Sequence, residues 1–439
     1  SALLRRDGST NFGPNNKFGF FPSLSLGWVA SDESFLQDSK IFDFLKLRGS
    51  YGIIGNDRIG AFRFESLLSG EGTYVFDNTL FFGTAIGAIS NPDIKWEEQV
   101  TLDFGVDSRF LSGKLTFEMD YFNRETRDLL LVVQTSGTTG STAPGSGNPV
   151  ANAGSVRNSG FELSLGYKEN FGNDFTFGVN YNLTTLDNEV LSVNNGVGYE
   201  VGGGFGIGQD PPARMEEGFP IGYFYGYQTQ GIFQTQDEAD NAPSQIALGA
   251  LARAGDIRFA DLNGDGVINT QDKTYIGDPI PDVTMGLNLS FKYKNFDFQS
   301  YFFASLGNEI VRNYERNDRF TNRTSYYLNR WTGPGSSNEF PRVTTAATSN
   351  LVFSDFYVED GSFLRAQNMQ LGFSLGDELL EKFKLYKLRV YFSASNVFTL
   401  TKYRGYDPTS SNGSPIGSGF DPGFYPTPRT YLLGANIKL

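Results

Sequence analysis

Residues 115–121, with the sequence LTFEMDY, place an apolar side chain at every odd position and a polar one at every even position. Such a period of two predicts a β-strand whose two faces meet different environments. The same pattern recurs at 102–107 (LDFGVD), 161–168 (FELSLGYK), 287–294 (LNLSFKYK) and 388–395 (LRVYFSAS). The sequence therefore predicts an all-β fold built from two-faced strands.

Further candidate strands bring the total to roughly a dozen, each about ten residues or longer, which is the length that a tilted membrane-spanning strand requires. Strands of soluble sandwiches usually have only about five or six residues. The further strands lie at 20–30, 43–53, 174–184, 296–305, 363–375 and 431–439, with weaker patterns at 61–68 and 73–82.

The connections between these strands are of two kinds. Tight turns are predicted at 110–113 and 169–174, and short helices at 377–383 and 236–254. Long connections rich in Gly, Ser, Asn and Pro are predicted at about 131–155, 189–282, 310–361 and 403–427. Short turns on one rim and long loops on the other are typical of a transmembrane antiparallel β-barrel with periplasmic turns and extracellular loops.

The composition excludes several classes of function. The chain of 439 residues has no His and no Cys, which excludes a serine triad with histidine, a thiol nucleophile and a His-ligated or Cys-ligated zinc. A formal net charge of −13 argues against a nucleic-acid partner. Nothing indicates an organic cofactor, and we predict no enzymatic activity. The sequence has no run of 18 or more apolar residues, so it predicts no membrane-spanning helix. Because the first residues do not form a signal peptide, we expect the chain to begin inside a longer precursor.

Alternation alone also fits a soluble sandwich or propeller with one buried face. Two features favour the membrane barrel. Aromatic residues crowd the strand ends, where a membrane-interface girdle requires them. The polar faces also carry charges that a hydrated lumen tolerates better than a packed core does. These charged residues are Glu118, Asp120, Asp103, Asp107 and Arg389.

One segment carries a pattern for metal binding. Residues 261–272 (DLNGDGVINTQD) match the calcium-loop pattern D-x-[DN]-x-[DN]-G. The predicted ligands are Asp261, Asn263, Asp265, the carbonyl of Val267, and Asp272, which stands where such loops usually have Glu. We expect a structural Ca²⁺ ion that stiffens a long loop. The alternative is that Asn-Gly-Asp-Gly forms only a turn.

Aromatic residues in the long loops are candidates for contact with a substrate or a lid. They could stack on sugar rings or peptide side chains, or they could simply pack the loops together. They are Tyr223, Phe224, Tyr225, Tyr227, Phe233, Tyr326 and Tyr327. The Gly-rich segment 202–208 lacks the strand, helix and Lys of a phosphate-binding loop, so a plain loop is expected there.

Several segments together closely resemble the SusC/RagA family of TonB-dependent outer-membrane transporters, in the family's order and over nearly the whole chain. They are 5–9 (RRDGS), 12–16 (FGPNN), 21–23 (FPS), 45–52 (LKLRGSYG), 55–56 (GN), 91–97 (NPDIKWE), 120–123 (DYFN), 126–130 (TRDLL), 261–277, 362–365 (SFLR), 396–403 (NVFTLTKY), 405–408 (GYDP), 425–426 (YP) and 429–431 (RTY). Leu439 departs from the family, whose barrels usually end in an aromatic residue.

The resemblance implies that residues 1–439 form the C-terminal portion of a 22-stranded barrel, with neither the plug nor the TonB box in this chain. It implies TonB-dependent import of a bulky nutrient, an oligosaccharide or a peptide, across the outer membrane of a Bacteroidetes-like Gram-negative bacterium. The implied partners are a SusD-like surface lipoprotein, the TonB–ExbB–ExbD system and outer-membrane lipid. The alternatives are a secreted, calcium-stabilised β-rich binding or adhesion module and, third, a passive porin.

Overall fold

The computed structural model describes residues 1–68, 70–133, 138, 147–206, 208–314, 324–409 and 413–439. Its largest part is an antiparallel sheet in which twelve strands lie side by side in chain order. These are β1 (Ala2–Gly8), β2 (Phe18–Val29), β3 (Phe44–Asn56), β4 (Glu97–Phe110), β5 (Leu115–Arg127), β6 (Gly154–Phe171), β7 (Phe175–Thr185), β8 (Val283–Tyr293), β9 (Phe296–Leu306), β10 (Phe363–Ser374), β11 (Lys387–Thr401) and β12 (Thr430–Lys438). A further strand, Asp187–Val193, pairs with β6.

The apolar positions of the alternating segments form continuous rows across this sheet. Phe104 of β4 lies opposite Tyr121 of β5, which in turn lies opposite Phe161 of β6. Their exposed fractions are 55%, 36% and 45%. The apolar face of the sheet is therefore open along this row, and the strands do not bury these side chains in a core between two layers.

The polar face of the same strands carries a network of ion pairs centred on Arg48. Its Nε lies 2.8 Å from Asp107, its Nη2 lies 2.6 Å from Asp120, and its Nη1 lies 3.4 Å from Asp103. Gly105 makes this approach possible, because a Cβ at that position would lie 2.5 Å from the guanidinium carbon of Arg48. Three of the acidic residues that the sequence assigned to one face of β4 and β5 thus pair with Arg48 of β3 on that face.

The two ends of the sheet differ in the length of their connections. At one rim, 30–43, 111–114, 172–174, 294–295 and 375–386 join neighbouring strands, and the last of these contains the helix Asp377–Phe383. At the other rim, the connections are 9–17, 57–96, 128–153, 186–282, 307–362 and 402–429. We call the residues of these latter connections the long-loop layer. Antiparallel order places alternate connections at the same rim, so the long connections are gathered at one end of the sheet.

Three expectations about local structure were wrong. Residues 61–68 contain no strand in their described part, and 73–82 forms only a small hairpin, Tyr74–Phe76 with Thr79–Phe81, inside the connection 57–96. That connection was not among the predicted long loops. The helix expected at 236–254 covers only Gln236–Asp240.

The long-loop layer contains its own small sheets and helical turns. The sheets combine Gly70–Glu71 with Thr84–Ala85, Leu130–Val132 with Val150–Asn152, Thr229–Ile232 with Ile257–Phe259, and Val358–Asp360 with Glu309–Arg312 and Phe420–Asp421. A four-stranded sheet consists of Tyr199–Gly202, Ala213–Glu216, Tyr223–Tyr227 and Lys273–Tyr275. In the part of the chain that the structure describes, 3₁₀ turns of the long-loop layer include Ile246–Leu248, Thr270–Asp272, Ser325–Asn329, Ser349–Leu351 and Asp355–Tyr357; a further one, Ala30–Asp32, lies at the opposite rim.

The main hydrophobic cores lie in this layer and at its junction with the strands. One core joins Phe224, Phe353 and Phe420, which come from three different connections. The layer is therefore packed by side chains that are far apart in sequence. None of the helices in the described residues has the length and apolarity needed to cross a lipid bilayer.

Candidate binding face of the long-loop layer

The four-stranded sheet of the long-loop layer presents one polar, aromatic face. Val201 lies opposite Arg214, and Tyr227 lies opposite Lys273. Because side chains alternate along a strand and directly opposed residues share a side, these residues lie on a common face. We call the part of this face formed by Tyr199, Val201, Arg214, Tyr225, Tyr227 and Lys273 the binding face; Tyr223, opposite Arg214, lies on the same side.

The reverse side of the sheet is sealed against the rest of the layer. Ala213, Met215 and Phe224 are each 0% exposed. Phe224 meets Phe420 edge-on, with ring centroids 5.4 Å apart. Burial of one side fixes the sheet in place, so the binding face is held on a packed support.

Arg214 is the central cation of this face. Its guanidinium carbon lies 3.5 Å from the ring centroid of Tyr225 and 4.3 Å from that of Tyr199, so the group is held between two aromatic rings. Its Nη1 donates a long hydrogen bond of 3.4 Å to Glu216. The same Glu216 oxygen accepts a 2.5 Å hydrogen bond from the Tyr223 hydroxyl. Glu216 is thus held mainly by Tyr223.

Lys273 is the second cation, and its ammonium lies 5.6 Å from the ring centroid of Tyr227. Burial lowers the pKa of Lys273; the charge of Asp210 opposes this effect and the charge of Arg214 adds to it. The residues of the binding face and Asp210 together border a cavity of about 340 Å³. Its lining is completed by Gln209, Pro211, Pro212, Val352 and Phe353. We call this space the Arg214 cavity.

The aromatic residues predicted to contact a substrate fall into two groups. Tyr223, Phe224, Tyr227 and Phe233 are at most 3% exposed, and of these four only Tyr227 lines the Arg214 cavity. Tyr225, Tyr326 and Tyr327 are only partly buried. The rings of Tyr326 and Tyr327 also pack on Phe340 at 5.2 and 5.7 Å. Contact with a substrate would therefore fall to the partly exposed rings, with the buried ones as their support.

The segment predicted to bind calcium forms a tight loop closed by its own backbone. Asp261 accepts hydrogen bonds from the backbone N–H of Gly264 and Gly266, at 2.7 and 2.8 Å. Gly266 has a φ of +84°, which supports the sharp turn expected at this position. Asn263 and Asp265 accept backbone N–H groups two residues further along.

Asp272 closes this loop from within the protein. It is 0% exposed and accepts hydrogen bonds from the backbone N–H of Leu262 and Asn269. Within the described ranges, no three His, Cys, Asp or Glu side chains gather closely enough to hold a metal ion. The oxygen-rich loop fits the residue types that calcium requires, and calcium binding stays a prediction.

A polar junction of the layer, centred on a fully buried carboxylate, was not predicted from the sequence. Asp256 is 0% exposed and binds Arg342 through two hydrogen bonds of 2.7 and 3.1 Å. It also accepts hydrogen bonds from Asn350 and Thr348. These partners lie more than 80 residues away in sequence, so no local pattern could have indicated them.

Known proteins resemble the chain over its whole length. A family model described as TonB dependent receptor-like, beta-barrel matches residues 1–299. TonB-dependent receptor P3 of Formosa agariphila is 34% identical over 99% of this chain and 43% of its own length. TonB-dependent receptor SusC of Bacteroides thetaiotaomicron is 32% identical over 99% of this chain and 41% of its own length. The solved structure of the RagAB peptide transporter has a TM-score of 0.82 at 24% identity, over 100% of this chain and 45% of that one. The chain thus spans less than half the length of these proteins.

Proposed function

Because the chain belongs to the TonB-dependent receptor-like β-barrel family, we propose that it forms the C-terminal part of an outer-membrane transporter that imports a bulky nutrient. The observation that carries this proposal is the open apolar face of the twelve-stranded sheet. In the row of Phe104, Tyr121 and Phe161, each residue is 36–55% exposed. Facing lipid, such rows are stable; facing water, they would form a large aggregation-prone surface.

The polar face then lines the lumen of the barrel. The ion pairs around Arg48 are compatible with a hydrated interior, where charged groups keep part of their solvation. We propose that this face contacts a plug domain supplied by another part of the protein. The greater length of the relatives supports this assignment.

We call the twelve-stranded sheet the wall. Its two outer strands support the proposal that further strands belong to the same wall. β1 pairs only with β2, and β12 pairs only with β11, among the described residues. An open edge inside a bilayer leaves backbone N–H and C=O groups without partners, at a cost of several kcal/mol per group. The remaining strands of a 22-stranded barrel would pair with both edges.

The partners and the class of cargo follow from the relatives. One is named SusC, and one solved structure is of the RagAB peptide transporter. We propose a SusD-like lipoprotein over the long-loop layer, TonB–ExbB–ExbD as the energy source, and an oligosaccharide or peptide as cargo. Their names describe receptors and a transporter, which fits a chain without a catalytic role.

The test uses the full-length protein in its native envelope. The transporter should partition with the detergent-extracted outer membrane and migrate differently on gels before and after heating. Uptake of its cargo should stop when TonB is deleted. A secreted binding module would instead remain in the soluble fraction, and a passive porin would keep its uptake without TonB; either result would refute the proposal.

A further inference from the structure

We propose that the Arg214 cavity binds a carboxylate group of the transported molecule. The inference rests on the proposed import function, because it assigns a chemical group to the cargo. The inference is supported by the preorganisation of Arg214, the lack of an ion pair at Lys273 among the described residues, the contrast with three other buried arginines, and the size of the cavity.

Arg214 is held in the arrangement that carboxylate recognition requires. Stacking between Tyr199 and Tyr225 fixes the plane of the guanidinium without using its N–H groups. Its side chain donates a long hydrogen bond of 3.4 Å to Glu216 and also interacts with the Tyr223 hydroxyl. Its remaining N–H donors are available at the edge of the plane. A planar fork of this kind matches the two oxygens of a carboxylate.

Lys273 adds a second positive charge on the same face. Within the described part of the chain its ammonium has no ion pair, although its side chain is partly buried. Asp210, which borders the same cavity, acts on it only through longer-range attraction. A cation that has lost part of its hydration gains most from an anion that enters beside it.

Three buried or half-buried arginines among the described residues already have close carboxylate partners. Arg342 lies 2.7 Å from Asp256, and Arg365 lies 2.6 Å from Asp407. The buried Arg312 lies 3.1 Å from Glu359. At the Arg214 cavity, by contrast, the contact of Arg214 with Glu216 is longer, at 3.4 Å, and Lys273 has no ion pair among the described residues. A partly buried lysine without a carboxylate partner favours an anionic ligand beside it.

The size and walls of the cavity limit what carries the carboxylate. A volume of about 340 Å³ accommodates one sugar ring or one amino-acid residue of a longer chain. Tyr225, Pro212 and Phe353 provide flat apolar walls. A uronic acid unit and an acidic peptide residue both present a carboxylate next to such a surface.

Calorimetric titration of the purified full-length transporter tests the proposal. The probes are tri-galacturonate against neutral galactotriose, and tri-aspartate against its fully amidated counterpart. We expect one carboxylate probe to bind more tightly than its neutral partner, and the pair that shows the difference identifies the source of the carboxylate. Arg214→Gln and Lys273→Met should each weaken that binding about ten- to a hundredfold.

Arg253→Gln is the matched control, because Arg253 is an exposed arginine of the same connection and does not line the cavity. Should Arg214→Gln disturb the loop, Lys273→Met decides, since it removes the charge and keeps most of the side-chain volume. Equal binding of charged and neutral probes by the wild-type protein would overturn the inference, as would equal effects of Lys273→Met and Arg253→Gln. TonB-dependent uptake would survive either outcome, so failure of the cavity and failure of the import function are distinguishable.

Discussion

The buried carboxylate of Asp256 joins the two longest connections, and its replacement tests whether the long-loop layer behaves as one unit. Asp256 belongs to the connection 186–282, whereas its partner Arg342 belongs to 307–362. The carboxylate is fully buried, and the Arg342 side chain is only 18% exposed. We consider the change Asp256→Asn, which keeps the shape of the side chain and removes its charge.

The expected cost follows from the geometry of the pair. Removing one partner of a buried ion pair leaves an uncompensated charge and costs about 3–5 kcal/mol. Because Arg342 keeps some contact with solvent, we take the lower limit, about 3 kcal/mol. At about 1.4 kcal/mol per tenfold change, the opening equilibrium of this junction should shift about a hundredfold towards the open state.

Hydrogen exchange measured by mass spectrometry on the full-length protein reads this change directly. Peptides over 253–259 and 340–350 should lose about a hundredfold in protection, whereas the strands of the wall should not change. Asp174→Asn is the control, since Asp174 is exposed and 4.0 Å from Lys294, and such pairs contribute only about 0–1 kcal/mol. If both variants exchange alike, Asp256 does not hold the two connections together.

Three further predictions concern the wall, the calcium loop and pH. Phe104→Lys on the apolar face should cost about 2–4 kcal/mol and reduce the folded, heat-modifiable fraction, whereas Thr101→Lys on the polar face should not; equal yields would contradict a lipid-facing row. Adding EGTA should increase hydrogen exchange in 255–280, and unchanged exchange would remove calcium from the loop. Burial raises the pKa of both Asp278 and Glu309, so the stability they contribute is present at acidic pH and is lost as pH rises through those values. Protection around this pair, corrected for chemical exchange rates, should therefore increase on acidification, and the opposite trend would refute the assignment.

The wall was predictable from sequence because its signal is local. A strand between lipid and water must alternate apolar and polar side chains. The pattern at 115–121 therefore indicates the environment on each side of the strand. The predicted barrel fold and the resemblance to its family are both confirmed by the twelve-stranded sheet and by the matches to relatives. Eleven of its twelve strands were predicted from the same pattern, and β1 was not.

The connection 57–96 was missed for an equally physical reason. Residues 73–82 have the apolar content of a strand, but Asp77 and Asn78 both adopt a positive φ and turn the chain back on itself. Such a two-residue turn is typical of a hairpin, and Asp-Asn at its centre was an available signal. The apolar residues on both sides of this turn suggested one continuous strand. The structure instead has two strands of three residues each, which are much shorter than the strands of the twelve-stranded sheet.

The binding face was only partly predictable. The aromatic residues of 223–227 were identified by composition, but their burial depends on distant partners such as Phe420. Arg214 was not identified at all, since its environment is created by two tyrosines on neighbouring strands. Contacts between separate long connections leave no periodic pattern in either connection, so the sequence alone does not predict them.

The construction of the long-loop layer has a consequence for how recognition can change. Phe224 and Arg214 occupy opposite sides of one small sheet, the first fully buried and the second bordering a cavity. Truncating Phe224 would remove packing worth about 3–5 kcal/mol and disturb three connections together. Changing Arg214 alters the charge of the cavity while the support behind it stays packed. A binding surface held in this way loses little conformational freedom when a ligand enters, so its affinity depends mainly on the groups it presents. Selectivity can therefore be altered at the binding face without rebuilding the wall or the core of the layer.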